Sequence, residues 1–173
     1  MPKPASTKRQ RVLEQRTTNC AIACRAVLAS DADEPTKRTA LSALVRYATP
    51  RGVQRPGDLR TEGVAALDGR DNGEAVVHHE HVVPVRVLID RMVAGDEPDD
   101  VLAVAVVTHV LNHEHLRIGP LVTTHAQLYE EMRDAKLSDL PELGRRRYSS
   151  CGLVLRKVPL LIAPSRGLDS VVA

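Results

Sequence analysis

The chain has 173 residues, of which 43% are hydrophobic, and this size and apolar fraction suit one folded domain. It contains no Phe, no Trp and only three Tyr, which argues against a protein that stacks several exposed bases on aromatic side chains. The net charge of +2 does not identify a partner, and the absence of a run of about 18 apolar residues argues against a membrane span.

The first seventy residues are predicted to be helical after a basic arm. Residues 1–17 carry five basic side chains against one acidic side chain, and we expect them to be a flexible arm. Asn19 can cap a first helix. The spacing of one buried helix face is seen in Leu41, Leu44, Val45 and Ala48. A third helix is predicted from about Pro56 to Leu67, so that residues 18–70 form a helical region.

Strands are expected to appear in the next part of the chain. The segment from Glu74 to Val83 is typical of a strand around histidines, and a helix follows from Val85 to about Ala94. The seven apolar residues from Val101 to Val107 predict a buried strand. Thr108 can then cap a short helix over His109–Ile118.

The remaining residues are predicted to form a helix and a final strand. Leu128 and Met132 lie on one helix face, and the segment from Tyr148 to Ile162 has the pattern of a strand. The predicted fold class is therefore α+β: a helical N-terminal part precedes a strand-strand-helix motif with flanking helices and a C-terminal strand. We expect residues 71–173 to form one compact unit with residues 18–70.

The cellular compartment is inferred from the cysteines and the N-terminus. Three cysteines, an odd number, do not make a disulfide framework. The polar N-terminus lacks the apolar segment of a signal peptide. A reducing cytoplasm fits both features.

All seven histidines lie between residues 78 and 125, and they form two clusters. Imidazole is a common metal ligand, so the clustering indicates a metal site. In the first cluster, alternate strand residues share a face, and His79 and His81 therefore point together. In the second cluster, His109 and His113 would be one helical turn apart and could reach one ion. Asn112 and His115 form a second candidate pair, and which residues bind the ion stays open.

The segment Glu80-His81-Val82-Val83-Pro84 resembles the Asp/Glu-His-x-x-Pro core of HNH (ββα-metal) endonucleases. The downstream strand and the helix with Glu114-His115-Leu116 are similar to the helix that completes that motif. The tandem histidines and the His-x-x-x-His pair also resemble the colicin DNase variant. The resemblance covers roughly residues 75–118. The chain departs from the family in lacking pairs of zinc-binding cysteines and in having a helix between the two strands.

The resemblance implies a metal-dependent nuclease that hydrolyses phosphodiester bonds. His81 would be the general base that takes a proton from the attacking water. A divalent metal ion (Mg, Mn, Ni or Zn) would be held by residues drawn from His79, Glu80, His109, Asn112, His113 and His115. The implied partner is nucleic acid, with DNA preferred to RNA. A homodimer would place two such sites on the two strands of a duplex.

Basic side chains near the motif and in the C-terminal part are candidates for nucleic-acid contacts. They are Arg86, Arg91, Arg145, Arg146 and Arg147. Two alternatives to a nuclease stay open. One is a non-catalytic module that binds nucleic acid or protein through a degenerate or structural-metal ββα fold, and the other is a different metallohydrolase.

Overall fold

The computed structural model describes residues 8–49, 59–66, 77–118 and 125–157. Within these ranges the fold is α+β, as predicted, with eight α-helices and a mixed sheet of four strands. The same ranges contain no helix with the length and apolar character that a membrane span requires.

Two long helices begin the described chain. Helix α1 is Lys8–Ala29 and helix α2 is Glu34–Ala48. Helix α1 starts well before the predicted cap at Asn19, so the second half of the expected arm is helical, and residues 1–7 lie outside the described residues. The predicted face of α2 is confirmed: Leu41, Val45 and Ala48 are buried.

The helix predicted from Pro56 to Leu67 is wrong in its first half. Strand β1 is Leu59–Thr61, and the short helix α3, Glu62–Ala66, follows it. Leu59 and Thr61 are buried and Arg60 between them is less so, which is the alternation of a strand. Residues 56–58 and 67 lie outside the described residues.

The strand around the histidines is confirmed but ends at His81 rather than Val83, and residues 74–76 of the predicted strand lie outside the described residues; the helix after it is also confirmed. Strand β2 is Val77–His81 and helix α4 is Val85–Val93, which buries Leu88, Ile89 and Met92.

The next strand was predicted at the wrong position. Helix α5, Pro98–Ala103, includes the first three residues of that segment, and only its last residue, Val107, lies in a strand. Proline at the first helical position and the acidic Asp99 and Asp100 in the first turn favour a helix there. Strand β3 is Val107–Leu111, and helix α6, Asn112–Ile118, follows it directly.

The C-terminal part contains helix α7, Ala126–Asp134, a short 3-10 helix at Leu137–Asp139, and helix α8, Leu140–Ser149. Strand β4 is Leu155–Lys157, which confirms a C-terminal strand. Tyr148, predicted to begin that strand, instead lies in α8. Residues 158–162 of the predicted strand lie outside the described residues.

The strand order in the sheet is β2-β3-β1-β4, so β2 lies at one edge. Strand β3 pairs antiparallel with β2 and parallel with β1, and β4 pairs antiparallel with β1. A core formed mainly by helices α1, α2, α4, α5 and α7 lies beside a smaller core of the sheet with α6 and α8. The larger core consists of aliphatic side chains with two cysteines and two methionines, and the smaller core contains the fully buried Tyr148.

Candidate functional site

The histidine-bearing strands and the following helix have the order that the sequence predicts. Strand β2 pairs with β3 over five residues, with His79 opposite His109 and Glu80 opposite Thr108. Helix α6 begins at the residue after β3. Helices α4 and α5 are inserted between the two strands. The segment therefore has a strand-strand-helix arrangement at the edge of the sheet.

One face of β2 meets α6 through His78 and Glu80, which are two residues apart and share that face. The ring of His115 stacks on the ring of His78, with 4.5 Å between centroids and 4° between planes. His115 Nδ1 lies 2.5 Å from Glu80 Oε1, an ion-pair distance without the angle of a hydrogen bond. His78 Nε2 donates to Asn112 Oδ1 at 2.9 Å. Helix α6 is thus held to the edge strand by polar contacts.

His81 lies on the other face and contacts α2 rather than α6. Its Nε2 is 2.7 Å from the hydroxyl oxygen of Thr49. That hydroxyl donates its single proton to the carbonyl oxygen of Val45 at 2.9 Å. Thr49 Oγ1 must therefore accept from His81, so Nε2 carries a proton. In the neutral ring, Nδ1 is then the nitrogen that can take a proton.

Helix α8 fixes the backbone at His81. Arg147 Nη2 donates to the His81 carbonyl oxygen at 2.9 Å and also lies 3.6 Å from Glu80 Oε2. The Tyr148 hydroxyl donates to the same carbonyl at 3.4 Å. Burial raises the pKa of Tyr148 well above its usual range, so its phenol stays protonated. The close approach of α8 depends on Gly144, where a Cβ would lie 2.7 Å from Val82 O.

A cavity of about 660 Å³ opens at this edge of the sheet. Its lining combines imidazoles, guanidinium groups, a carboxylate and a phenol with three apolar residues. These residues are Arg46, Val77, His78, His79, Glu80, His81, Pro84, Val85, Arg86, His115, Tyr129 and Arg147. We call it the histidine cavity. Three guanidinium groups against one carboxylate make it suited to an anion such as a phosphate group.

The described residues contain no group of three or more His, Cys, Asp or Glu side chains arranged to hold one metal ion. They do contain a pair of donors, Glu80 Oε1 and His115 Nδ1. Two buried atoms beside Glu80, His115 Nδ1 and Thr108 Oγ1, have no hydrogen-bond partner among the described residues. The stacked ring of His78 is parallel to that of His115, so the two rings do not direct lone pairs at one point. An imidazole nitrogen with a carboxylate oxygen suits an ion such as Ni²⁺ or Zn²⁺ better than Mg²⁺, and water and substrate phosphate would have to supply the remaining ligands.

The other predicted metal ligands are not brought to this pair. His109 lies on β3, so the predicted arrangement of His109 one helical turn before His113 is wrong. Its ring instead contacts His79 edge-to-face, with 4.3 Å between centroids. His113 is exposed on α6 and Asn112 contacts His78. Strand β3 begins at Val107, later than the apolar run suggests, and His109 therefore lies in the strand rather than in the helix.

Of the five arginines predicted to contact nucleic acid, two line the histidine cavity and three lie elsewhere. Arg86 and Arg147 line the histidine cavity. Arg91 is held by Asp96 and donates to the carbonyl oxygens of Arg133 and Ala135, so its guanidinium serves the fold. Arg145 pairs with Glu142 at 2.9 Å and Arg146 with Glu131 at 3.0 Å, both on the surface of α8.

Several residues of the site were not identified from the sequence as part of it. Arg46 lies in α2, Thr49 directly follows that helix and Tyr129 lies in α7, and none belongs to a motif. Glu114, predicted as a possible partner of an imidazole, is buried and instead accepts from Thr61 Oγ1 at 2.5 Å and from the Leu111 amide at 2.8 Å. Glu114 accepts from the amide three residues before it, as the glutamate of a capping box does, but Leu111 replaces the Ser or Thr by which that motif is recognised in a sequence.

Comparisons with protein-family models, curated proteins and solved structures gave no match. What the site can do is therefore inferred from this chain's own residues and their geometry.

Proposed function

We propose that the protein is a metal-dependent nuclease that hydrolyses phosphodiester bonds in DNA, with the scissile phosphate in the histidine cavity. The observation that carries the proposal is the composition of that cavity: four imidazoles, three guanidinium groups and one carboxylate line it beside β2, the edge strand of the described sheet. Guanidinium groups bind a phosphate, and an imidazole can move a proton near neutral pH. Phosphodiester hydrolysis needs both functions.

His81 is the proposed general base. Thr49 holds its Nε2 proton and thereby sets the tautomer in which Nδ1 is basic. Arg147 and Tyr148 fix the His81 carbonyl, which limits movement of the residue. A base that is held by neighbouring groups loses less orientation freedom in the transition state. His81 would take the proton of the attacking water, and Arg147 would offset charge on the phosphate.

Glu80 and His115 are the residues that would hold a divalent ion. When bound, the ion supplies positive charge to a non-bridging phosphate oxygen as negative charge grows in the transition state. Glu80 also lies near Arg147, so its carboxyl group has a cationic neighbour as well as His115. His78 and Asn112 keep α6 against β2 and thereby keep His115 next to Glu80.

The test is cleavage of plasmid DNA and of single-stranded circular DNA with Mg²⁺, Mn²⁺, Ni²⁺ or Zn²⁺, with and without EDTA. We expect cleavage that stops with EDTA while the melting temperature stays close to that of the metal-loaded protein. His81→Ala should lower the rate at least about 100-fold, the usual magnitude for general-base catalysis. His125→Ala is the matched control, because His125 precedes α7 and contacts Ser150 rather than the cavity. Undiminished cleavage by His81→Ala would refute the assignment of the base.

The same measurements separate a nuclease from the non-catalytic alternative. A structural-metal module would unfold with EDTA and would cut no DNA. Thr49 adds a second distinction. Thr49→Val removes the acceptor that sets the His81 tautomer, so we expect a lower rate and a shifted pH-rate profile, and Thr49→Ser should restore both.

A further inference from the structure

A second cavity, of about 760 Å³, adjoins the histidine cavity. It lies between α2, α4 and α7. The two cavities share four lining residues: Arg46, Val85, Arg86 and Tyr129. We call the second one the helix cavity. Because the two cavities meet at these shared residues, an extended molecule can occupy both.

Two of the four arginines that line the helix cavity form ion pairs with neighbouring carboxylates. Arg38 pairs with Glu34 at 2.7 Å and with Asp90 at 2.5 Å, and Arg133 pairs with Glu130 at 3.0 Å.

Arg46 and Arg86, at the junction of the two cavities, are exposed. In the described part of the chain no carboxylate lies within ion-pair distance of either. Their charge is available to a ligand, and its position between the cavities suits an anionic backbone that passes from one to the other.

Tyr129 supplies an aromatic surface at the same junction. Part of its side chain packs against the helical core, and part lines both cavities. Burial raises the pKa of Tyr129, so the phenol is neutral at physiological pH. A neutral ring beside two cationic side chains is the combination that single-strand binding sites use: positive charge follows the backbone, and the ring stacks on a base.

We propose that the helix cavity is a subsite for the nucleotide next to the scissile phosphate on a single DNA strand. Arg46 and Arg86 contact backbone phosphates and Tyr129 stacks on one base. The cavity volume lies in the range that holds one small ligand, which fits a single nucleotide and is too small for a duplex. This inference rests on the proposed function, because it requires a nucleic acid in the histidine cavity.

The experiment measures the affinity of the full chain, carrying His81→Ala, for a fluorescent twelve-nucleotide oligothymidine over a series of salt concentrations. Each phosphate contact in a single strand contributes about 0.7 to the slope of log affinity against log salt. We expect Arg46→Ala and Arg86→Ala each to reduce that slope by about 0.7. Tyr129→Leu should weaken binding about tenfold or more without changing the slope.

Arg145→Ala is the matched control, since it removes one arginine that pairs with Glu142 outside both cavities. Its slope should equal that of the parent protein. Unchanged slopes in both Arg46→Ala and Arg86→Ala would overturn the subsite, as would tighter binding of a duplex than of the single strand. Such a result, with cleavage that still requires His81, would refute the subsite and leave the nuclease intact. Reduced slopes in a protein that cuts no DNA would refute the nuclease and leave a single-strand binding surface.

Discussion

Replacing Gly144 with alanine tests whether α8 packs as closely on the His81 segment as the structure describes. The added Cβ would lie 2.7 Å from Val82 O and 2.8 Å from Val82 Cγ1, whereas nonbonded carbon contacts need about 3.5 Å. The nearest atom is backbone, so the helix itself must shift. Overpacking of this kind costs about 1–3 kcal/mol. Alanine is favoured over glycine in a helix by about 1 kcal/mol, which offsets part of that cost.

The expected net effect of Gly144→Ala is a loss of about 1 kcal/mol and a melting temperature lower by about 2–4 °C. The shift also lengthens the hydrogen bonds from Arg147 and Tyr148 to the His81 carbonyl, so DNA cleavage should fall more than the unfolded fraction explains. Thermal unfolding and cleavage rates measure both effects. Ser149→Ala, at an exposed position of the same helix, should stay within about 0.5 kcal/mol of the parent. A Gly144→Ala protein that is more stable, as helix propensity alone predicts, would refute the close packing.

Three further predictions concern buried or partly buried polar groups. Glu114→Gln replaces the carboxyl group that accepts from Thr61 and the Leu111 amide with an amide, so the free energy of unfolding in urea should fall by about 1–3 kcal/mol; an unchanged midpoint would contradict this role. Arg91→Ala leaves two carbonyl oxygens unpaired and should lower the melting temperature without weakening oligonucleotide binding; weaker binding at unchanged stability would restore Arg91 as a nucleic-acid contact. Burial raises the pKa of Cys24 from 9.0 to about 11, so folding favours the neutral thiol below pH 9, and that contribution is lost as the pH rises toward 11. Cys24→Ala should therefore lose less stability between pH 9 and 11 in chemical denaturation, and equal losses would contradict the assignment.

The sequence predicted the helices whose buried faces repeat at the helical period. In α2 and α4 the apolar residues recur every three or four positions, and Val45 and Leu88 are buried as expected. The strands after α4 were harder to place. A continuous apolar run such as Val101–Val107 suits a buried strand and a buried helix equally. Pro98, at the first position of α5, favours the helix. The three-residue strand β1 is too short for any periodic signal, and only its pairing with β3 and β4 makes it a strand.

The site was predictable only where one local motif contains it. Glu80 and His81 lie in that motif, and the clustering of histidines directed attention to His115. Which imidazoles meet was not predictable, because it depends on where β3 begins and on the register that places His109 opposite His79. Thr49 reaches His81 from α2 through the tertiary fold, and no sequence pattern links two such distant positions.

Successive side chains of a strand point to opposite faces, and this alternation separates the groups of the proposed site. Glu80 and His81 are adjacent, so their side chains leave β2 on opposite faces. The pair that would hold a metal ion, Glu80 with His115, is therefore separated from the proposed base by the strand itself. In the middle of a sheet these groups could not meet one substrate. Because β2 is the edge strand of the sheet that the described residues form, we propose that a phosphate beside it contacts groups of both faces, with Arg147 near Glu80 and the His81 carbonyl. We therefore expect that a peptide strand that pairs with β2 would block that approach and inhibit cleavage.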